Sequence, residues 1–393
     1  MTPRAQLTLN DVCEAIVDCE HKTAPTQAEG HPSIRTPNIG RGRLILGGVN
    51  RVSDETYKFW TQRMEPQAGD LILAREAPVG NVAIIPKNLK VCLGQRTVLI
   101  RPDRKKVLPE YLGYLMLGDE IQGRVQSQSN GATVHHLNMK DIRALELPPL
   151  PHREKQCRIA SILSAYDDLI ENNTRRIAIL AEMARRLYEE WFVRFRFPGH
   201  EHVRMVESEL GSVPEGWQLG RLGDEIELTY GKALKAEERA PGNVPVYGSS
   251  GVVGYHNASL APGPGIIVGR KGNVGSVHWS EVTFYAIDTV FYVKTKLPLH
   301  FVFYNLQRQN FLNSDVAVPG LNRNQAYSLP LLVPDAELLH KFEELSESFL
   351  GLARTLARKN ANLRTTRDLL LPKLISGELD ISALPEPEVA AFG

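Results

Sequence analysis

A stretch near residue 75 recurs about 195 residues later, and this internal repeat limits the folds open to the chain. Segment 69–82 (GDLILAREAPVGNV) aligns with segment 264–277 (PGIIVGRKGNVGSV). The matching pairs are Arg75 with Arg270, Gly80 with Gly275, Thr97-Val98 with Thr289-Val290, and Leu137-Asn138 with Leu321-Asn322. Solenoid repeats are about 20–50 residues long, so a period of this length predicts two copies of a whole domain. A chain of 393 residues is also longer than one hydrophobic core usually supports.

Each copy begins with short aliphatic runs and ends in a long helical stretch. The runs, such as 70–74 and 265–268, are separated by Gly, Pro and Asn, a pattern typical of strands and turns. After residue 151 and again after residue 334, the apolar spacing changes to a helical period. We therefore expect an α+β fold with two similar α/β domains, each followed by a long helix.

The helical stretches carry apolar residues in a 4-3 alternation over at least four heptads, which is typical of a coiled coil. The first series is Ile159, Leu163, Tyr166, Ile170, Asn173, Ile177, Leu180, Ala184, Leu187 and Trp191. The second series is Leu338, Phe342, Leu345, Phe349, Leu352, Leu356, Lys359, Leu363, Thr366 and Leu370. We expect the apolar members to pair the two helices, with separate packing on each domain as the alternative. The polar members can fix the register of the pair at a cost in stability.

The balance of charge excludes a generally basic chain, since 46 Lys and Arg residues face 45 Asp and Glu residues. Residues 1–150 contain 19 basic and 16 acidic residues, whereas residues 208–334 contain 10 of each. Nucleic-acid binding would therefore depend on local basic clusters. Four cysteines without a CxxC spacing, no 18-residue apolar run and no signal-peptide layout predict a soluble, cytoplasmic protein without a membrane partner.

Motifs for catalysis or cofactor binding are missing from the sequence. It has no GxxxxGKS/T phosphate loop, no N/D-P-P-Y/F methyltransferase motif and no GxSxG elbow, since residues 248–251 are GSSG. His135 and His136 are adjacent, so on a strand their rings point to opposite faces and do not easily chelate one metal. Residues 20–22 form the E-x-K skeleton of some nucleases, but this pattern often arises by chance. We expect no catalytic site, metal or cofactor.

Basic and polar residues on glycine-rich loops are the remaining functional candidates. Such loops let the backbone approach phosphate, and Arg, Lys and Asn side chains can recognise base edges. The predicted DNA-binding residues are Arg35, Asn38, Arg41, Arg75, Lys232, Ser249, Ser250, Arg270, Lys271, Asn322 and Arg323. For Arg75 and Arg270, which occupy matching positions, bracing of the loop is the alternative.

The order of these segments resembles the DNA-specificity (S) subunits of type I restriction-modification systems over nearly the whole chain. In the first copy the resemblance rests on residues 16–25 (IVDCEHKTAP), 74–80 (AREAPVG), 131–133 (GAT) and 147–168 (LPPLPHREKQCRIASILSAYDD). In the second copy it rests on residues 208–217 (SELGSVPEGW), 247–251 (YGSSG), 269–272 (GRKG) and 370–379 (LLPKLISGEL).

The resemblance implies two target recognition domains, each binding one half of a split, asymmetric DNA target. It also implies that the two long helices form an antiparallel coiled coil. The expected segments are domain 1 at 1–150, the first helix at 151–198, a linker and domain 2 at 199–334, the second helix at 335–377 and a frayed tail at 378–393. The second helix lacks the basic-glutamine run that residues 153–156 place at the start of the first.

The implied partners are double-stranded DNA, two methyltransferase (modification) subunits and restriction subunits with translocase activity. In that role the chain itself is not an enzyme and holds no cofactor. Two alternatives stay open at this point. One is a fused restriction-modification enzyme with its own nuclease or methyltransferase activity, and the other is a coiled-coil protein whose β-rich domains bind protein.

Overall fold

The computed structural model describes residues 6–76, 78–128, 136–311 and 320–382. The predicted motif at 131–133, His135 and most of the predicted tail lie outside these residues. The chain forms two compact units. The first unit contains Met1–Thr174 and Arg358–Gly393, and the second contains Arg175–Ala357. Each long helix therefore contributes residues to both units.

The first unit is built around a four-stranded antiparallel sheet. Its strands are β1 (Cys13–Asp18), β2 (His31–Ile34), β3 (Arg51–Val52), β4 (Leu71–Ala74), β5 (Val82–Ile84), β6 (Cys92–Leu93) and β7 (Thr97–Pro102). Its helices are α1 (Asp54–Trp60), α2 (Pro109–Leu117), α3 (Asp119–Gln128), α4 (Met139–Arg143) and the start of the first long helix, α5 (Arg153–Tyr188). The main sheet has the order β1-β7-β4-β5, and a smaller sheet has the order β3-β2-β6 with a parallel β2–β6 pair.

The second unit has the same topology. Its strands are β8 (Met205–Ser208), β9 (Gly211–Pro214), β10 (Gln218–Arg221), β11 (Ile226–Tyr230), β12 (Val244–Gly248), β13 (Gly251–His256), β14 (Gly265–Gly269), β15 (Val277–Ser280), β16 (Tyr285–Ala286), β17 (Val290–Thr295) and β18 (Pro330–Val333). Its helices are α6 (Leu222–Glu225), α7 (Leu299–Arg308), α8 (Arg323–Ser328) and part of the second long helix, α9 (Ala336–Ser376). The main sheet has the order β11-β17-β14-β15, and the smaller sheet has the order β13-β12-β16 with a parallel β12–β16 pair.

The repeated strand order confirms the predicted duplication and corrects one detail of its alignment. Ala74 pairs with Thr97 in the first unit, and the equivalent Gly269 pairs with Val290 in the second. The predicted match of Thr97 with Thr289 is therefore wrong by one residue. Backbone pairing decides equivalence here, whereas the sequence match rested on a shared Thr-Val dipeptide.

The two units differ most in the connection between the first two strands of the smaller sheet. Residues 35–50 connect β2 to β3, whereas only Ser249 and Ser250 connect β12 to β13. The longer connection lies along the edge of the main sheet, because the backbone N–H of Gly42 donates to the carbonyl of Val82 at 2.8 Å. This insertion changes the offset between the copies.

The long helices run antiparallel. In the first unit the Asn173 amide donates to the Asn360 side-chain oxygen at 2.9 Å, and Asp167, earlier in α5, pairs with Arg367, later in α9. In the second unit the rings of Tyr188 and Phe342 lie 5.9 Å apart. The first long helix ends at Tyr188 and is followed by a π-helical turn at Glu189–Val193.

Four of the ten positions in the predicted series on the second long helix, two of them apolar, are exposed. On the first helix the predicted contact residues Ile159, Leu163 and Ile170 are buried, and Ile177, Leu180 and Leu187 are half-buried. On the second helix Phe342 and Leu356 are buried, and Phe349, Leu363 and Leu370 are half-buried. Leu345 and Leu352, in contrast, are 41% and 43% exposed, and Lys359 and Thr366 are exposed. The inward positions between the apolar ones are Ser346, Ala353, Asn360 and Arg367. Two of these inward residues, Asn360 and Arg367, make polar contacts with the first long helix.

Asn360 forms hydrogen bonds with the first long helix through both the oxygen and the nitrogen of its side-chain amide. Its side chain is 2% exposed and accepts from the Asn173 amide. Its own amide donates to the carbonyl of Ile170 at 3.1 Å and to the hydroxyl of Thr174 at 3.2 Å. A pair of polar side chains with matched donors and acceptors is satisfied in one register only, so it specifies helix alignment.

Replacing Asn360 with alanine should lower the free energy of unfolding by about 1–3 kcal/mol, because the half-buried Asn173 amide loses its acceptor. Urea unfolding followed by circular dichroism measures the change. Asn362→Ala is the matched control, since Asn362 is exposed on the same helix. Equal losses in the two variants would contradict a role for Asn360 in pairing the helices.

Candidate nucleic-acid interface

The loop that follows β14 carries Arg270 and Lys271, and glycines shape it. A Cβ on Gly269 would lie 2.1 Å from the carbonyl oxygen of Asn273, so the turn closes only around glycine. Gly272 and Gly275 both have φ of +76°, which favours glycine as well. The strand before this turn is buried throughout, so the turn places Arg270 at the surface end of a rigid strand.

An exposed tyrosine gathers two arginines at this surface. The Tyr230 ring, 48% exposed, lies at the end of β11. The Cζ atoms of Arg270 and Arg323 each lie 5.2 Å from the centroid of this ring, within cation–π range. Asn322 caps helix α8 by accepting from the backbone N–H of Asn324 at 2.9 Å, which fixes where Arg323 begins the helix. We call Tyr230, Arg270 and Arg323 the Tyr230 cluster.

The other candidates of the second copy surround the Tyr230 cluster. Lys271 is exposed, and its Nζ lies 4.0 Å from the Asp288 carboxylate. Lys232, two residues after Tyr230, is also exposed, and its backbone N–H donates to Ala286 at 2.9 Å. Ser249 and Ser250 form the tip of the β12–β13 hairpin next to this loop. The contact between loop and tip is made by Asn273, whose backbone N–H and side-chain amide donate to the Ser249 and Ser250 hydroxyls at 3.4 and 3.3 Å.

Acidic groups also lie near the cluster. The pKa of the exposed Glu227 carboxyl is lowered, first by the hydrogen bond from the Thr229 hydroxyl and then by Lys294. Glu227 therefore stays ionised at neutral pH and, with Asp288, limits the positive potential to a small area. The surface is a local cationic patch, as the balanced charge of this segment requires.

Arg75 occupies the place of Arg270 in the first unit, but its surroundings differ. Asp18 pairs with Val98 and Tyr230 with the equivalent Phe291, so the aspartate stands where the second unit has the tyrosine. Both carboxylate oxygens of Asp18 accept from Nη1 of Arg75 at 2.8 Å. The Arg75 Nε donates to the carbonyl of Leu137 at 2.9 Å, and the residue is 6% exposed. These contacts favour the bracing role for Arg75.

The remaining candidates of the first unit lie on the 35–50 connection. Asn38 is buried and accepts from the backbone N–H of Arg35 at 3.1 Å, which stabilises the turn. Arg41 donates to the carbonyl of Leu117 at 3.1 Å, and Arg43 pairs with Asp168 of the first long helix. The side chains of Arg35 and Arg41 are exposed, and they do not contact Arg75 among the described residues.

One group of side chains in the first unit has donor atoms close enough for a metal ion. Asp18, Cys19 and His21 offer donors within 4.8 Å of one another. The Asp18 carboxylate is already bonded to Arg75, and burial raises the pKa of the Cys19 thiol, which disfavours the thiolate that binds metals. Asp18 therefore has a structural role, and Cys19 is a poor metal ligand.

The sequence analysis missed two residues of this surface. Tyr230 lies at a strand end about 40 residues before Arg270, and only the cross-strand register brings them together. Asn273 lies inside the predicted glycine-rich loop, directly after Gly272, and this position was the one sign in the sequence that it belongs to the surface.

A duplicated α/β domain with a cationic patch beside a hairpin tip defines a two-domain recognition protein. A family profile described as the type I restriction modification DNA specificity domain matches residues 5–182 and 214–344. The chain belongs to this family of specificity subunits, which are non-catalytic, and the resemblance found in the sequence is thereby confirmed.

Two known specificity subunits and one solved structure are similar to this chain over most of its length. The MjaIX specificity subunit of Methanocaldococcus jannaschii is 26% identical over 371 residues, covering 86% of this chain and 84% of that protein. The HindI specificity subunit of Haemophilus influenzae is 21% identical over 405 residues, covering 79% and 86%. The crystal structure of an S subunit from M. genitalium has a TM-score of 0.57 at 17% identity, covering 94% of this chain and 95% of that chain, and so shares the fold.

None of the helices in the described ranges is long and apolar enough to cross a bilayer.

Replacing Arg75 with alanine should destabilise the protein by about 3 kcal/mol, because the largely buried Asp18 carboxylate loses its partner. Arg270→Ala is the matched control and should cost about 1 kcal/mol or less, since it removes mainly a cation–π contact. Urea unfolding measures both changes. Similar losses would show that the two equivalent arginines have the same structural role.

Proposed function

We propose that the chain recognises a bipartite, asymmetric DNA target and assembles methyltransferase and restriction subunits on that target. In this proposal each α/β domain binds one half of the target. The two halves differ in sequence, because the domains carry different side chains on one backbone frame. The protein would act in the cytoplasm, where its partners and the chromosome are found.

The Tyr230 cluster is the observation that supports DNA binding most directly. It combines two guanidinium groups, an exposed aromatic ring and a neighbouring exposed lysine on a loop shaped by glycines. Guanidinium and ammonium groups bind phosphate and the acceptor edges of bases, and polar hairpin tips such as Ser249-Ser250 can enter a groove. The exposed Lys232 and Lys271 favour DNA over a protein partner, because lysine is depleted in protein–protein interfaces.

The assembly role is supported by family membership and by the two long helices. Relatives of this chain are named as specificity subunits of restriction enzymes, so methylation and cleavage belong to other subunits. We propose that two methyltransferase subunits and the restriction subunits join this chain. A fused enzyme is not favoured, because the relatives carry the name of the subunit and match this chain over most of their length.

Selection from random duplex DNA tests the proposed target. The full chain, together with the methyltransferase subunit of its own system, should enrich sequences with two different specific blocks separated by a spacer of fixed length. Sequencing the bound pool measures this, and the methyltransferase subunit alone is the control. Enrichment of a single block, or of none, would contradict the proposal.

Replacing both Lys271 and Arg323 with alanine should weaken DNA binding and reduce the slope of log K against log salt by about 2, if each contacts one phosphate. Titration of labelled duplex at several salt concentrations measures the slope. Lys296→Ala is the control, because Lys296 is exposed beyond the opposite end of β17, roughly 15–20 Å from the cluster. An unchanged slope would assign both residues to packing of the loop.

A further inference from the structure

Arg270 is held in one position by its own domain, and we infer that it recognises a guanine in the half of the target bound by the second unit. This inference rests on the proposed function and adds a ligand, the major-groove edge of a G·C pair. The geometry around Arg270, and its contrast with Arg75, support it.

The backbone of Arg270 is fixed on both sides. Its N–H donates to the carbonyl of Thr289 at 2.9 Å, and its carbonyl accepts from the N–H of Leu321 at 2.9 Å. The residue directly follows the buried strand β14. The Cα position is therefore determined by the sheet and by the segment that leads into α8.

The guanidinium group of Arg270 is also oriented. Its Nε donates to the carbonyl of Asp288 at 3.2 Å, and its Cζ lies 5.2 Å from the Tyr230 ring and 5.8 Å from the Phe291 ring. Within the described ranges, neither terminal nitrogen of the group has a hydrogen-bond partner. The Nε donor of Arg270 therefore orients the guanidinium group, and among the described residues the two terminal nitrogens remain free to bind a ligand.

An oriented two-pronged donor matches guanine. In the major groove guanine presents O6 and N7 as neighbouring acceptors, which a guanidinium binds bidentately. Discrimination between bases requires such a fixed direction, because a misaligned donor loses one bond of the pair. A phosphate requires mainly charge, and Lys271, an exposed point charge on a flexible stem, supplies that beside it.

Arg75 lacks this capacity although it has the same place in the fold. Nη1 is bonded to Asp18, and Nη2 lies 3.0 Å from Nε2 of His136. Both ends of its guanidinium are thus in use. The inference therefore assigns a guanine contact at this position to the second unit and not to the first.

The test compares the targets of Arg270→Gln, Arg270→Ala and the unmodified protein, each as the full chain with the methyltransferase subunit of its own system. Selection from random duplex DNA gives the base preference at every position. We expect both variants to lose the preference for guanine at one position of one block, by roughly tenfold or more, with the other block unchanged. Arg308→Lys, in the same unit, is the control and should leave every position unchanged.

A uniform loss of affinity at all positions would overturn the inference and show that Arg270 binds phosphate. An unchanged target would assign Arg270 to bracing of the loop. Thermal unfolding checks that each variant is folded. If the alanine variant is unstable, Arg270→Lys replaces it in the test. Because it retains the charge, it should still bind DNA but with a weaker preference for guanine. If the unmodified protein selects no bipartite sequence, the proposed function fails, a result distinct from a changed base preference.

Discussion

Two backbone hydrogen bonds fix the same arginine position in each domain, and the difference between the domains depends on them. In both copies the N–H and the carbonyl of this residue are bonded to two separate segments. The partners are Arg96 and Leu137 for Arg75, and Thr289 and Leu321 for Arg270. Because only main-chain atoms take part, neighbouring side chains can differ while the frame stays the same. The same backbone hydrogen bonds thus position Arg75, which is paired with Asp18, in the first copy. In the second copy they position Arg270, whose terminal nitrogens have no partner among the described residues.

The residue opposite this arginine decides which of these two states results. Asp18, at the end of β1 and across β7 from β4, forms a salt bridge with Arg75, and in a largely buried place such a pair has no charge left for a ligand. A tyrosine in the same register supports Arg270 through its ring and, among the described residues, no carboxylate forms an ion pair with Arg270. The overall charge of +1 therefore hides a local difference, since acidic residues elsewhere offset a patch that stays cationic.

Periodicity and repetition in the sequence were sufficient to predict the duplication, the strand-rich domains and the two long helices. They did not predict the whole inward face of the second helix, because Leu345 and Leu352, which continue the apolar series, are exposed, while the polar Asn360 faces its partner Asn173. The glycine-rich loop also indicated Arg270 and Lys271. The role of Tyr230 could not be predicted, because it arises from the register between strands, which one sequence without alignment does not specify.

Both copies pack their domains against the long helices through an apolar core, and the contacts beside that core differ. In the first unit the 35–50 connection reaches Asp168, and the Tyr114 hydroxyl donates to Asp167 at 2.6 Å. The second unit lacks this connection and uses aromatic packing, with Phe192 centred 5.0 Å from Phe301 and 4.9 Å from Phe342. Hydrogen-bonded contacts are directional, whereas packed rings tolerate small shifts. The 35–50 connection thus adds directional contacts to the first long helix, whereas the two-residue turn at Ser249-Ser250 in the second unit offers no equivalent connection.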